Sequence, residues 1–263
     1  MDLPAESIIR LTAFGGVLPG IGFWELRAPR RRLSLSRWQR WPHNLGILLI
    51  DTALVRLLLP TAAVGVALAA ADRGWGLLNI LAVPDWAAIV ISVIALDLAI
   101  YGQHVAFHAI QPLWRLHRMH HADLDFDAIT GVRFHPVEIL LSLLIKLAVV
   151  ALIGAAAVGV LIFEVLLNAT SVFNHGNVRI PAWLERRLRW FVVTPEMHRV
   201  HHSIRRAETD SNFGFNLPWW DRLFRTYRAE PVDGHQTMTI GIPQFRDPRE
   251  LRLDQLLLQP FRG

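Results

Sequence analysis

Four apolar blocks dominate the hydrophobic pattern of the chain: Ile8 to Leu26, Leu45 to Ala71, Trp86 to Tyr101 and Val137 to Phe173. Blocks of this length and composition predict membrane-spanning helices. The first is weakened by Arg10, Pro19 and several glycines, and it stops at Arg27, Arg30, Arg31 and Arg32, with Arg37 and Arg40 following. The positive-inside rule puts that arginine block in the cytoplasm. The second block carries Asp51 and Arg56. Both are costly at mid-bilayer, so they are expected near the cytoplasmic end or facing other helices. Pro60 predicts a kink. The third block contains Asp97 and leads directly into His104 and His108.

The fourth block fixes the topology. As one helix it would be about 55 Å long, against a hydrocarbon core of about 30 Å. It is bracketed by two copies of H-R-x-H-H, His117 to His121 and His198 to His202. Those motifs can share a site only if the chain returns to the side it left. The block therefore predicts a helical hairpin turning between Gly154 and Gly159, with Pro136 at the first helical position. Each arm reaches only the lower limit for spanning, about 17 residues. The expected fold is all-α, a single integral-membrane domain over residues 1–263. It has about four transmembrane helices, the second pair a hairpin, and a cytoplasmic histidine-rich helical cap. The N-terminus is expected outside, and the arginine block, the histidines and the C-terminus in the cytoplasm.

Composition narrows the chemistry. The 263 residues are 52% hydrophobic and contain no cysteine, with a mean hydropathy of +0.32. This suits a small polytopic membrane protein. It excludes disulfides, thiolate metal sites and cysteine-held iron–sulfur clusters. Net charge is +5, carried almost wholly by arginine, with Lys146 the only lysine. The arginines flank apolar segments and form no basic stripe with interleaved aromatics, so nucleic acid is not an expected partner. Met1 to Ser7 is acidic, which argues against a cleaved signal peptide. After Asn174 the chain is polar and aromatic, with Trp183, Trp190, Trp219, Trp220, Phe224 and Tyr227. Such aromatics suit either the headgroup level of a membrane or an ordinary core.

Histidine carries the candidate chemistry. His104 and His108 are spaced i, i+4, and each H-R-x-H-H motif brings three histidines together. Residues three and four apart share a helix face, so each group can aim two or three imidazoles at one spot. Neutral imidazole binds zinc, copper, iron or nickel. His104, His108, His117, His120, His121, His198, His201 and His202, with His175 as a further ligand, are more than one tetrahedral ion can use. The count points to two metal ions at a membrane surface. Asp97 and Tyr101 extend the His104–His108 stripe downward. They could orient a ligand ring, or Asp97 could pair with Arg56. His135 is read as a ligand or a donor behind one, and His43 and His235 as solvated.

Other motifs fail on inspection. Asp123, Asp125 and Asp127 resemble the start of an EF-hand loop, but its glycine and glutamate positions hold Ala128 and Phe134. No H-E-x-x-H is present, and an arginine follows both His117 and His198, so a zinc protease would lack its general base. His135-Pro136 continues as Val137-Glu138, not as a haem-binding His-Pro-Gly-Gly.

The three histidine clusters, in this order around a hydrophobic hairpin, resemble the fatty acid hydroxylase/sterol desaturase superfamily. The resemblance covers roughly Val90 to Arg228 and includes Leu113 to His117, Gly131 to Glu138, Thr194 to His198, Asn212 to Gly214 and Trp220 to Tyr227. It implies an integral-membrane diiron enzyme that uses dioxygen to hydroxylate or desaturate lipids. By that likeness the motif histidines bind two iron ions near the cytoplasmic face. Trp220, Asp221 and Tyr227 would belong to a segment covering the site on the substrate side. Substrates of the superfamily range over sterols, sphingolipids, fatty acids, carotenoids and ether lipids, and nothing in the chain selects among them.

The chemistry agrees with the resemblance. An unactivated C–H bond resists acid, base and nucleophile, whereas a metal that binds dioxygen can break it. With no nicotinamide fingerprint, haem or iron–sulfur motif in the chain, a separate reductase or electron carrier is the expected partner, and a bacterial inner or plasma membrane the expected location. The alternative reading is a zinc-dependent membrane lipid hydrolase, since affinity order favours zinc over iron. Excess ligands and the lack of an obvious base count against it. A non-enzymatic metal carrier is a third reading.

Overall fold

The computed structural model describes residues 3–59 and 62–262. Helix α1 spans Leu3–Arg27 and runs unbroken through Pro19. Helix α2, Arg37–Leu58, begins before the apolar block does. The reason is local: Ser36 accepts from the Trp38 amide, and Gln39 reaches back to the Ser36 amide, closing a capping box. Then follow α3 (Ala62–Asp72), α4 (Leu77–Ile80), α5 (Asp85–Ala109) and α6 (Gln111–His121). A 3-10 turn at Ala128–Val132 leads into α7 (Pro136–Ile153) and α8 (Ala157–Asn174), and the shorter α9 (Ala182–Leu188) and α10 (Pro195–His201) come after. The kink expected at Pro60 lies outside the described residues. Among the described residues no strand forms; isolated bridges join Pro29 to Val178 and Ser203 to Ile240.

Among the described residues, five segments are long and apolar enough to cross a membrane: Glu6–Arg27, Arg37–Ile80, Asp85–Ala109, Pro136–Ile153 and Ala157–Asn174. This is one more than the four expected. The weakened first block still forms a continuous helix, and both hairpin arms qualify. The hairpin turns at the start of the predicted window. Gly154 ends α7 with φ 66°, a left-handed conformation that glycine adopts without strain. A Cβ there would sit 2.8 Å from both the Asn79 Nδ2 and the Trp75 carbonyl. Gly159 lies inside α8 instead, where a Cβ would meet the Ile89 carbonyl of α5 at 2.9 Å.

The core between α3, α5, α7 and α8 contains Ala63, Ala67, Leu96, Ile100, Val150, Val160 and Phe163. Small residues such as Ala63 and Ala67 let helices approach closely, the packing that holds helices together where lipid is as apolar as leucine. One buried carboxylate is paired with cations from two other helices. Glu164 of α8 pairs with Lys146 of α7 and with Arg10 of α1. Asp51 is buried, as expected for a charge facing other helices, whereas Arg56 reaches Ser7 rather than Asp97.

Candidate metal centre

All nine motif histidines, residues 104, 108, 117, 120, 121, 175, 198, 201 and 202, gather at one end of the helices, and each is no more than 4% exposed. Helix α5 carries Asp97, Tyr101, His104 and His108 on its buried stripe. Helix α6 presents His120 and His121 in its last turn and His117 one turn earlier. His175 caps the C-terminus of α8. Helix α10 starts at a Thr194 cap followed by Pro195, and it delivers His198 and His201, with His202 as its own C-cap.

The histidines divide into two adjoining groups. His104, His108, His117, His121 and His201 form one, and His120, His175, His198 and His202 the other, with the donor atoms of each group within 4.8 Å of one another. Each H-R-x-H-H motif is therefore split. Its i, i+4 pair joins one group and its i+3 histidine joins the other, so neither motif serves a single spot.

Hydrogen bonds on the far side of the rings set their tautomers. The Nδ1 atoms of His104, His201, His120 and His175 donate to the carbonyls of Phe213 (2.7 Å), Ser211 (2.7 Å), Arg133 (3.1 Å) and Ser171 (2.7 Å). His117 Nδ1 donates to Glu138 Oε1 at 2.6 Å and His108 Nδ1 to Asp210 at 3.2 Å. With the proton on Nδ1, each Nε2 carries only a lone pair. Yet these Nε2 atoms face one another, His104 to His117 at 3.1 Å, His104 to His201 at 3.0 Å and His120 to His175 at 3.2 Å. No proton is available to bridge such pairs, so they repel unless a cation lies between them. Imidazole nitrogens about 2.0–2.1 Å from a common ion are about 3 Å apart when at right angles. The donor set therefore fits metal ions. The Nδ1 atoms of His121 and His198 and both ring nitrogens of His202 are buried without a partner.

Burial keeps the rings neutral. It pushes His120, His121, His198 and His202 well below the ordinary imidazole value, and His175 and His201 to about 3, with neighbouring imidazoles adding to the effect. A neutral ring is the ligating form.

Several supports were not foreseen. Glu138, in the first turn of α7, holds His117; nothing in the sequence marks it beyond its place in the Gly131–Glu138 stretch. Only the helix register set by Pro136 could have pointed to it. Phe134 stacks on His120 with centroids 4.4 Å apart. The aspartates that mimic an EF-hand instead clamp the arginine block. Arg40, fully buried, donates to Asp123 at 2.7 Å and Asp127 at 2.8 Å, and Asp125 accepts from the Ser34 and Leu35 amides. Burial opposes the charge on Asp123, but Arg40 and Arg133 more than offset it and hold the carboxyl below the usual range. Arg133, whose carbonyl holds His120, also donates to Asn44 and to the Met119 carbonyl.

Other expected residues lie elsewhere. Asp97 orients no imidazole. It accepts from Trp220 Nε1 (2.8 Å), Asn216 Nδ2 (2.8 Å) and the Leu217 amide (3.3 Å). Tyr101 shares a 2.9 Å hydrogen bond with Thr226 and stacks on Phe224. Both residues tie α5 to the loop that carries Ser211 and Phe213. Asp221 is fully buried. Its carboxylate accepts from the amides of Phe213 (2.8 Å) and Gly214 (2.9 Å) and from Thr226, organising that loop. Tyr227 accepts from Arg189 at 3.2 Å. His135 caps α7, its Nδ1 accepting from the Val137 amide while Nε2 meets the Leu257 carbonyl. It lies outside both histidine groups. His235 is buried rather than solvated, 2.9 Å from Glu230. Burial, with Arg199 nearby, lowers it to about 4. Glu196 and Glu230 could form a third donor group with His235, but Arg30 and Arg189 already attend those carboxylates.

The fatty acid hydroxylase family model matches residues 89–226, the segment holding all nine histidines. Ornithine lipid hydroxylase OlsE of Rhizobium tropici is 29% identical over 54% of this chain and 42% of its own length. Alkylglycerol monooxygenase of Xenopus tropicalis is 24% identical over 63% of this chain and 36% of its own. Cholesterol 25-hydroxylase of Rattus norvegicus is 24% identical over 54% and 47%. The matched region thus spans less than half the length of these relatives. No solved structure gives a significant match. The family match covers more than half of the chain, from near the start of α5 to the loop beyond α10, and with it both histidine groups: the chain belongs to the fatty acid hydroxylase family.

Proposed function

We propose that this protein is a multi-pass membrane oxidoreductase that hydroxylates a membrane lipid with dioxygen at a diiron centre held by the nine histidines. The observation that carries this reading is the pair of adjoining all-histidine groups with lone pairs turned inward. The names of the relatives, two hydroxylases and a monooxygenase, favour hydroxylation over desaturation. Those names mention three different lipids, so the lipid class stays general: an amphiphile whose reacting carbon lies near the headgroup region. The net reaction consumes the C–H bond, one dioxygen, two electrons and two protons, and yields the alcohol and water. A separate reductase or carrier supplies the electrons.

Bound iron would supply the capture and activation of dioxygen that an unactivated C–H bond demands. The chain's own residues prepare for this. Glu138 and the carbonyls of Arg133, Ser171, Ser211 and Phe213 fix the orientation of five rings through Nδ1, and the buried surroundings keep bulk water out. The histidine end is assigned to the cytoplasm. In support, Arg31 donates to the Met238 carbonyl and Arg40 to Asp123, so the arginine block and the histidine groups share one face, the face the positive-inside rule assigns inward.

The test is to purify the full chain, measure its metal content and dioxygen uptake with a chemical reductant, and compare total lipids of expressing and control cells. A lipid gaining one oxygen only with dioxygen and intact histidines is expected. Anaerobic cleavage of a lipid by a zinc-loaded protein would replace this reading with the hydrolase.

A further inference from the structure

The loop that holds the histidines from above also descends along α5 towards the bilayer. Its contacts follow that helix in order: the Phe213 carbonyl meets His104, Thr226 meets Tyr101, and Trp220, Asn216 and Leu217 meet Asp97. From His104 to Asp97 this is a descent of about 10 Å at 1.5 Å per residue. Asp97 lies below Tyr101, the last residue of the apolar block, by about 6 Å. Trp220 is thus pinned at a depth where the surroundings of α5 are hydrocarbon. On the α8 side, Asn216 also pairs with Thr170, and Asn174 donates to the Phe215 carbonyl. The loop is wedged between two membrane helices.

Its outer surface is apolar. Trp219, Leu223 and Phe224 are 45%, 66% and 52% exposed, and beside them Trp190 and Phe191 are 56% and 69% exposed. The two segments form one surface: Trp219 Nε1 donates to the Trp190 carbonyl at 2.8 Å, and Arg222 lies 4.0 Å over the Trp190 ring. The charges are one-sided. The carboxylates of these segments, Glu185 and Asp221, are buried, while Arg186, Arg187 and Arg225 are exposed. A contiguous exposed apolar patch marks an interaction surface. Aromatics beside arginines suit the headgroup–acyl boundary.

We propose that the surface formed by Trp190, Phe191, Trp219, Leu223 and Phe224 is embedded in the leaflet on the histidine side, with Arg186, Arg187 and Arg225 engaging anionic headgroups. Its continuity with α5 and its arginine-only exposed charge favour a bilayer over a protein partner or a second copy of the chain. The inference needs membrane-spanning helices but no metal and no catalytic reading. It gives the loop a role beyond supporting the rings: the segment that orients His104 and His201 is itself seated in the lipid.

Because the chain has no cysteine, single spin labels can be placed cleanly. Labels at L223C and F191C are compared with L144C, on a lipid-facing position of α7, and R249C, on an exposed turn. The full chain is held in nanodiscs of phosphatidylcholine with or without phosphatidylglycerol. The labels at 223 and 191 are expected to collide with dioxygen more than with a water-soluble nickel chelate, at a depth between those of 144 and 249. The combined R186Q/R187Q/R225Q change is expected to remove any deepening caused by phosphatidylglycerol. Nickel accessibility at 223 and 191 equal to that at 249, with 144 still lipid-exposed, overturns the proposal and leaves a protein-docking surface. Water exposure at 144 as well would instead overturn the membrane-spanning reading itself.

Discussion

Replacing Glu138 isolates one link between the protein and its proposed metal. Its Oε1 accepts from His117 Nδ1 at 2.6 Å, and the residue is 3% exposed. A hydrogen bond to a charged group contributes about 1.5–3 kcal/mol, roughly twice a neutral one. Glu138→Gln keeps an acceptor of the same shape but removes the charge, a loss of about 1–1.5 kcal/mol by that comparison. At 1.36 kcal/mol per decade this is roughly a tenfold weakening. Glu138→Leu removes the acceptor and leaves the ring free to turn, which approaches the upper end of the 10–100-fold range typical of groups behind a ligand. The assay is a chelator titration of the intact purified protein, with retained metal counted per chain. Gln is expected to shift the midpoint about tenfold and Leu further, both confined to one phase, because Glu138 touches only the five-histidine group. His135→Ala, which loses a helix cap but no ring partner, should leave the curve in place. Superimposable curves for wild type, Gln and Leu would refute the idea that Glu138 tunes a ligand.

Four further outcomes are expected. His201→Ala should deplete the five-histidine group and His120→Ala the four-histidine group, each abolishing activity, while His43→Ala and His235→Ala keep full metal; elemental analysis of the four variants decides it. In the metal-free chain, the neutral rings of His175 and His201, at about 3, against about 6.5 unfolded, mean that the unfolded chain binds more protons between those values. Stability is therefore complete above about pH 6.5 and falls as the pH drops towards 3, and a melting temperature unchanged from pH 7 to 4.5 would contradict this. Arg40→Met leaves Asp127 buried with no cation and Asp123 with Arg133 alone, and should cost about 3–5 kcal/mol, visible as loss of folded protein on thermal scanning. Reporter fusions at Arg40, Asp123 and Gly263 should all read cytoplasmic, and an external reading at Asp123 would reject the assigned orientation.

The sequence was most readable where chemistry is periodic. Hydropathy located the membrane blocks, and the bracketing of Val137–Phe173 by two histidine motifs required a turn, found at Gly154. Histidine spacing singled out the residues that converge. What stayed hidden depends on contacts between distant parts of the chain. Glu138 looks like any first-turn glutamate until α7 is docked on α6. Asp97 reads as chemistry from its place on the histidine stripe, and Asp221 only through the family resemblance; what the sequence does not show is that both hold the same loop. The ring acceptors are mostly main-chain carbonyls, which carry no side-chain identity. His235 seemed solvated because nothing in its neighbourhood in sequence predicts burial beside Glu230.

The split of each H-R-x-H-H motif has a consequence for how the site can vary. Residues i+3 and i+4 on a helix are about 100° apart around its axis, and here that angular step separates His120 from His121 and His201 from His202. The distance between the two groups is thus ruled off by helix geometry in two places at once, α6 and α10, rather than by loops. A substitution inside either motif removes one donor. A single inserted residue would swing the remaining donors by the same step and misalign both groups together. The connecting segments can drift in length and sequence, but these two five-residue gauges cannot change by one residue without erasing the pair.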